Sequence, residues 1–310
     1  MSSIAESIVK TMEKQTQVRA ARRQRAKITN QVMNGVFWLV AGIVLSALLF
    51  VLGYVLINGY SYVSLKFLTS SDFATGIAPQ LFNTLYITIG ALIPLFIIGV
   101  SAAIYVSEYA RQGWFLNILR FASDTLTSVP SIVIGLLGFL LFVTNFGDGH
   151  RWGFSRAAGI LALTILNLPW MLRAAEDALR AVPKDFREAS MALGANKFQT
   201  VTRTILPAAI PGLVTALLIV AGRIIGETAA LIYTSGEAGP TTGWFTLNPF
   251  FAGDTLSVHI YSLFADNPTT GAYEGRLATA VLLLVLIVII NGTARFLGQR
   301  LHQRFSGKKA

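Results

Sequence analysis

The sequence predicts an all-α integral membrane protein with about six transmembrane helices. Its 310 residues are 54% hydrophobic and only 13% charged, and its mean hydropathy is +0.60. A soluble domain cannot hide so much apolar surface with so few charges. Several apolar stretches also reach the ~20 residues that a helix needs to cross a bilayer. Finally, basic residues crowd both ends of the chain, where they would flank the apolar spans.

The predicted spans follow from hydropathy and length. They are placed at roughly 34–57, 82–107, 118–143, 157–176, 208–233 and 277–298. The first is too long for a cleavable signal peptide, and no small-residue cleavage site follows it. The basic segment 1–33 precedes the spans and is expected to be either an interfacial helix or a flexible tail. A basic tail, 299–310, follows the membrane domain 34–298.

Lysine and arginine are distributed unevenly among the connections between spans. This distribution predicts on which side of the membrane each connection lies. Five basic residues lie in the 177–206 connection, whereas 234–276 contains none before Arg276 at the membrane edge. Because basic connections stay inside, we expect both termini to be cytoplasmic in a multi-pass protein of the cytoplasmic membrane. The cytoplasmic connections are then 108–117 and 177–206, and the external ones are 58–81, 144–156 and 234–276. The 144–156 connection, with Arg151 and Arg156, fits this rule least well.

The 234–276 connection is long and mixes glycine, proline and aromatic residues. Connections of this length are usually functional or disordered. Its later half, from Leu256 to Phe264, is apolar enough to fold back onto the membrane surface. We therefore expect a packed external cap.

Composition and missing motifs exclude several functions. The net charge of +10 resides mainly at the ends that flank apolar spans, so it predicts no nucleic-acid partner. The absence of cysteine excludes disulfides and thiolate metal sites. No phosphate-binding loop of an ATPase is present, and the three histidines are too scattered for a metalloprotease motif. We expect a non-catalytic subunit without a metal or cofactor of its own.

A polar segment in the 177–206 connection is typical of a docking surface. Glu188, Ala189 and Ser190 are followed by Gly194 at a turn and by Leu206-Pro207 at the start of the next span. This spacing resembles the EAA loop of ABC importer permeases, although Ser190 and Thr204 replace the family's alanine and isoleucine. The resemblance implies the type I ABC importer permease fold and coupling to an ATPase through Glu188, Ala189, Ser190 and Gly194.

Two further strings resemble the permeases of phosphate-specific importers, the second being closest to their A subunit. They are Ser128-Val129-Pro130-Ser131-Ile132-Val133-Ile134-Gly135 and Arg223-Ile224-Ile225-Gly226-Glu227-Thr228-Ala229. A charge in the middle of a span costs roughly 2.5–3.5 kcal/mol, so Arg223 and Glu227 indicate a functional site. We expect them to share one helix face as a pair. Ala230 replaces a frequent proline of the A subunit, which predicts a less broken helix.

The resemblance implies a substrate path that includes Arg223, Glu227, Thr228, Ser128 and Ser131, with Asn167 a weaker candidate. Arginine binds phosphate through parallel hydrogen bonds, whereas the serines could instead bond their own helix. The implied partners are a sister permease, two ATPase subunits that bind ATP-Mg, and an external phosphate-binding protein. Two alternatives stay open: import of another small oxyanion, and a non-transporting membrane scaffold or sensor subunit.

Overall fold

The computed structural model describes residues 2–72, 75–111, 113–144, 152–236, 245–265 and 270–305. Within these ranges all regular elements are helical. The α-helices are α1 Ser2–Gly59, α2 Leu65–Thr69, α3 Ala78–Ile104, α4 Trp114–Ser128, α5 Ser131–Gly138, α6 Arg156–Arg180, α7 Lys184–Ala192, α8 Lys197–Thr200, α9 Leu206–Ile225, α10 Ala229–Ile232, α11 Leu256–Ala265 and α12 Thr270–Phe305. A 3₁₀ turn, Tyr60–Tyr62, and three π-helical turns, Tyr105–Tyr109, Phe139–Thr144 and Val201–Ile205, join or extend them.

In the described part of the chain, five helical segments are long and apolar enough to cross a membrane, and a bent pair, counted as one span, makes a sixth. The five are Ala26–Tyr62, Ala78–Tyr109, Arg156–Arg180, Lys197–Ile225 and Tyr273–Thr293. The predicted all-α membrane fold with about six spans is therefore confirmed.

The chain divides into two compact units, residues 1–57 and 58–310. In the first unit the backbone is helical from Ser2, and the side chains from Ala26 to Val51 are all exposed. Helix α1 therefore runs without a break from the basic segment into the first span. Alanine, glutamine and arginine are frequent there and are good helix formers.

In the second unit α3, α6 and α9 surround the main apolar core. Leu95, Leu163, Met171, Leu213 and Ile224 are among its fully buried side chains. Small residues at other buried positions of these helices let their backbones approach closely. This core fixes α6 and α9, the two helices that carry the central polar residues, against each other.

The predicted span 118–143 is not a straight helix. The helices α4 and α5 meet at an angle of 96°. Pro130 has no N–H to donate, and it forces the preceding residue, Val129, into an extended conformation with ψ of 129°. The hydropathy of the stretch was evident in the sequence, but the bend follows from this proline.

The predicted span 208–233 is also interrupted. Helix α9 ends at Ile225, and Gly226, Glu227 and Thr228 precede the single turn α10. The expectation of a less broken helix is therefore wrong. A proline at 230 is not needed, because Gly226 favours helix termination and the Glu227 side chain supplies a new hydrogen-bond partner.

The 234–276 connection, predicted to be external, is packed where the structure describes it. The apolar segment predicted to fold back is helix α11, and Leu256 N–H donates to Thr84 Oγ1 on α3 at 2.9 Å. Arg156 is buried, with its guanidinium carbon 5.2 Å from the Phe82 ring centroid and 5.3 Å from that of Tyr86. Arg156 therefore belongs to the protein interior, which explains why it fits the charge rule poorly. Residues 145–151, 237–244, 266–269 and 306–310, which include Arg151 and parts of the predicted cap and tail, lie outside the described residues.

Candidate substrate path and coupling surface

The two interrupted spans meet inside the second unit. A Cβ added to Gly135 on α5 would lie 2.8 Å from Ala230 Cα and 3.1 Å from the carbonyl oxygen of Ala229. Real Cβ atoms do not approach backbone this closely, so only glycine allows this contact. Packing thus brings the string that ends at Gly135 against the string that begins at Arg223.

Hydrogen bonds to both the side chain and the main chain of Glu227 stabilise the break after α9. Its carboxylate Oε1 accepts from Ala230 N–H at 3.3 Å. Its main-chain carbonyl accepts from Ser257 Oγ on α11 at 2.7 Å. The Glu227 N–H still donates to Ile224 O at 3.1 Å, which tightens the last turn of α9. Glu227 therefore organises the break through its own backbone and side chain.

Arg223 lies on the last turn of α9, exposed and directed toward α6. Its Nε donates to Asn167 Oδ1 at 3.1 Å, and its guanidinium carbon lies 4.6 Å from the Trp170 ring centroid. Asn167 is fully buried and is oriented by its own hydrogen bond from Nδ2 to Leu163 O at 2.9 Å. Among the described residues, the two terminal nitrogens of Arg223 have no hydrogen-bond partner. Two parallel donors therefore remain available for a planar or tetrahedral anion.

The expected Arg223–Glu227 pair is not formed. No ion pair joins them in the part of the chain that the structure describes, and Glu227 turns its carboxylate to α10 instead. The four-residue spacing predicts a shared face only while the helix continues. Because α9 ends between these residues, their side chains have different partners.

The remaining predicted path residues differ in their surroundings. Ser128 donates to Asp124 O at 2.9 Å, which is the local helical bond that serine often makes. Ser131 begins α5 one turn before Gly135, so it shares the face that packs on α10. Thr228 is half-buried in the break. Ser131 and Thr228 therefore belong to two segments that pack together, α5 and the start of α10, whereas Ser128 ends α4 on the other side of the bend.

Sequence reasoning missed Trp170 and ranked Asn167 low. These residues are three apart on α6 and thus neighbours on its surface. A polar residue and an amphipathic aromatic at helical spacing were the available signal, but their relation to Arg223 depends on the packing of α6 against α9.

On the predicted cytoplasmic side, Arg187 fixes helix α7. Its Nη2 donates to Glu108 Oε1 at 2.6 Å and to Leu179 O at 3.0 Å, and its Nη1 donates to Val182 O at 2.8 Å. Glu108 belongs to the π-helical turn that follows α3, and its side chain is only 8% exposed. The guanidinium thus ties α7 to the ends of α3 and α6.

The outer face of α7 is open. Glu188 and Ala189 are exposed, and Gly194 makes the turn after the helix with φ of +85°, a conformation that favours glycine. Leu193 is 90% exposed, and Phe186 and Met191 are about half exposed. A groove of about 520 Å³ beside this turn includes Ala189, Ser190 and Gly194 in its lining. An apolar patch with a small-residue groove is typical of a surface that docks another protein.

The two departures from the EAA pattern contact each other. Thr204 Oγ1 donates to Ser190 Oγ at 3.4 Å, and the Ser190 hydroxyl lies 3.0 Å from Thr200 Oγ1. These hydroxyls link α7 to the helical segment that leads into α9. The substitutions of Ser190 and Thr204 therefore form a local hydrogen-bonded group and leave the outer face of α7 unchanged.

Comparison with known families accounts for these features together. Residues 95–303 match the family described as "Binding-protein-dependent transport system inner membrane component". The chain belongs to this family. It is 35% identical over 293 residues to a probable ABC transporter permease protein YqgI of Bacillus subtilis, covering 90% of this chain and 98% of the relative. It is 36% identical to the phosphate transport system permease protein PstA 2 of Mycobacterium bovis, covering 69% of each chain.

Solved structures show the same fold. A chain of the MetNI methionine ABC transporter matches with a TM-score of 0.57 and 21% identity, over 73% of this chain and 95% of that one. A bacterial ABC transporter involved in the import of the polysaccharide alginate matches with a TM-score of 0.59 and 16% identity, over 85% and 96%. The protein is thus a multi-pass membrane protein with the type I ABC importer permease fold.

Proposed function

We propose that this chain is a transmembrane permease subunit of an ATP-driven importer of inorganic phosphate. The observation that carries the proposal is Arg223 at the break after α9, whose two terminal nitrogens have no hydrogen-bond partner among the described residues. Keeping such a charge within a span costs roughly 2.5–3.5 kcal/mol, which favours a functional reason for its presence. Similarity to PstA permeases supports phosphate as the anion.

In this proposal Arg223 binds phosphate through its guanidinium fork, while Glu227 and Thr228 shape the break beside it. Ser131 contributes from α5, and Ser128 acts at the bend between α4 and α5. Residues 34–298 form the permease domain, and the segments 1–33 and 299–310 are cytoplasmic. A non-catalytic role follows, with ATP-Mg bound by partner subunits.

The proposed partners are a sister permease, two ATPase subunits and an external phosphate-binding protein. The exposed face of α7, with Glu188, Ala189, Ser190 and Gly194, supports ATPase docking from the cytoplasm. Arg187 holds this helix against α3 and α6, so movement of a docked ATPase would be transmitted to the spans.

Uptake by the complete complex tests the proposal. Membranes that contain this chain and its copurifying ATPase should take up labelled phosphate in an ATP-dependent manner. Glu188→Lys should abolish uptake at normal protein levels, whereas the control Asp185→Lys, another exposed reversal on α7, should not. ATP-dependent uptake of sulfate or molybdate in place of phosphate would identify another oxyanion as the substrate. A complex that moves no anion would indicate the scaffold alternative.

A further inference from the structure

A charged cleft lies between α4 and the last turns of α6, apart from the break after α9. Its volume is about 250 Å³. Liquid water takes up about 30 Å³ per molecule, so the cleft has room for a small anion and several waters. The polar residues that line it are three arginines, three carboxylates and one serine: Arg120, Arg173, Arg180, Asp124, Glu176, Asp177 and Ser123. Because residues three or four apart lie on one face of a helix, these side chains form two facing rows, one on α4 and one on α6.

Each arginine of the cleft forms an ion pair with a carboxylate. Arg120 and Arg180 share Glu176, at 3.4 and 2.5 Å, and Arg173 pairs with Asp124. Glu176 is mostly buried, with 13% of its side chain exposed, whereas the three arginines and Asp124 are about half exposed. Half-exposed ion pairs are weak and exchange partners readily, so an incoming anion can replace a carboxylate here.

One further group in the cleft lacks a partner. Ser123 Oγ is buried and has no hydrogen bond within the described part of the chain. It lies one turn from Arg120 and next to Asp124 on α4. A hydroxyl donor between guanidinium groups suits a tetrahedral oxyanion, which accepts hydrogen bonds on all sides.

The position of the cleft connects it to Arg223. The Arg223 guanidinium stacks on Trp170, and Arg173 follows Trp170 by three residues on α6, about 4.5 Å along the helix axis. Arg173 is therefore the basic residue of the cleft that lies nearest to Trp170 along α6. The cleft lies toward the cytoplasmic end of α6, as the charge distribution assigns it.

We infer that this cleft is a second oxyanion site, from which the transported anion leaves for the cytoplasm. The inference rests on the proposed function and adds an exit to it. The anion displaces Asp124 from Arg173 and Glu176 from Arg120, and the ion pairs re-form when it departs. The carboxylates therefore compete with the anion and keep its binding weak.

The test measures the binding of inorganic phosphate to the purified complex. Binding is monitored by line broadening of the phosphate signal in phosphorus NMR, a method that detects weak binding. Asp124→Asn removes the competitor of Arg173 and should strengthen phosphate binding about tenfold. Arg173→Gln should weaken it by a similar factor, and Arg173→Lys should weaken it less because the charge remains but the fork is lost. Arg295→Gln, which removes an exposed arginine on α12 outside the cleft, is the matched control.

The two substitutions are expected to change phosphate binding in opposite directions, which distinguishes an anion site from ion pairs with a purely structural role. If the ion pairs only hold α4 to α6, neither Asp124→Asn nor Arg173→Gln changes phosphate binding, and the inference is overturned. Misfolding cannot produce the gain expected of Asp124→Asn, so that variant decides even if Arg173→Gln fails to assemble. Phosphate uptake by the unchanged complex is measured in parallel, because its absence would refute the proposed function, whereas normal uptake with unchanged binding in both variants would refute only the exit site.

Discussion

Arg187 and Arg223 contrast two ways of accommodating an arginine in one protein. Arg187 is 20% exposed and donates to a carboxylate and two main-chain carbonyls, so its hydrogen-bonding capacity is largely satisfied. Arg223 is exposed, donates once to Asn167 and stacks on Trp170, which leaves both terminal nitrogens without a described partner. The number of satisfied donors, more than burial, distinguishes an arginine that holds helices together from one that can receive a ligand.

The largest effect on stability should follow the loss of Arg187. Arg187→Gln leaves the mostly buried Glu108 carboxylate unpaired, which costs on the order of 3 kcal/mol. The amount of chain in the membrane should therefore fall sharply, as measured by immunoblot. The control Lys184→Gln, an exposed charge on the same helix, should have no such effect. Adding Glu108→Gln should restore part of the loss, and no restoration would contradict a paired role.

Arg223 should show the reverse pattern. Arg223→Gln removes the proposed anion fork but leaves no carboxylate unpaired, so membrane levels should stay normal while phosphate uptake falls about a hundredfold. Arg223→Lys should recover only part of the uptake, because a point charge cannot reproduce two parallel hydrogen bonds. If the membrane level of Arg223→Gln falls and phosphate uptake falls only in proportion to it, Arg223 is a structural residue like Arg187.

Converting the surroundings of Arg223 into those of Arg187 sharpens the comparison. Asn167→Asp places a carboxylate where Oδ1 now accepts from Arg223 at 3.1 Å. The new ion pair should compete with phosphate for the guanidinium and reduce uptake about tenfold with normal protein levels. Asn167→Ser, which keeps a neutral polar group, is the control. Equal phosphate uptake by the two variants would contradict the prediction that uptake requires an Arg223 guanidinium that is not held in an ion pair.

The smallest effect should come from Ser190. Ser190→Ala restores the residue of the family pattern and removes the hydroxyl contacts with Thr200 and Thr204. Thr200 is buried, so the loss should cost about 1 kcal/mol of stability while uptake stays normal. Thermal unfolding of the purified complex measures the shift. A loss of uptake would mean that the hydroxyl group takes part in coupling itself.

Hydropathy was sufficient to predict the spans, and the spacing from Glu188 to Pro207 was sufficient to predict the exposed helix α7, because each depends on local sequence. The bend at Pro130 and the end of α9 at Gly226 also had local causes, but they were hidden by the continuous apolar character of both stretches. Hydropathy averages over some 20 residues and does not register a three-residue interruption.

The partners of the arginines could not be predicted in the same way. Glu108 is 79 residues from Arg187, and Asn167 is 56 residues from Arg223. Such pairs depend on how α3, α6 and α9 pack, which the sequence of any one helix does not specify. The assumed Arg223–Glu227 pair was wrong for a different reason, because it relied on helical spacing across a point where α9 has already ended.

The hydrogen bond from Ser257 to the Glu227 carbonyl affects how motion of the long helical segment acts on the break after α9. Helical structure continues from Lys197, beside α7, to Ile225, a length of roughly 40 Å, and the break lies at its far end. Ser257 attaches the same break to α11 in the 234–276 connection. A tilt of a few degrees at the Lys197 end of this rod moves its tip by ångströms against that anchor. Residues 226–228 therefore lie where a displacement of the long helix and the hydrogen bond to α11 act on the same short stretch of backbone.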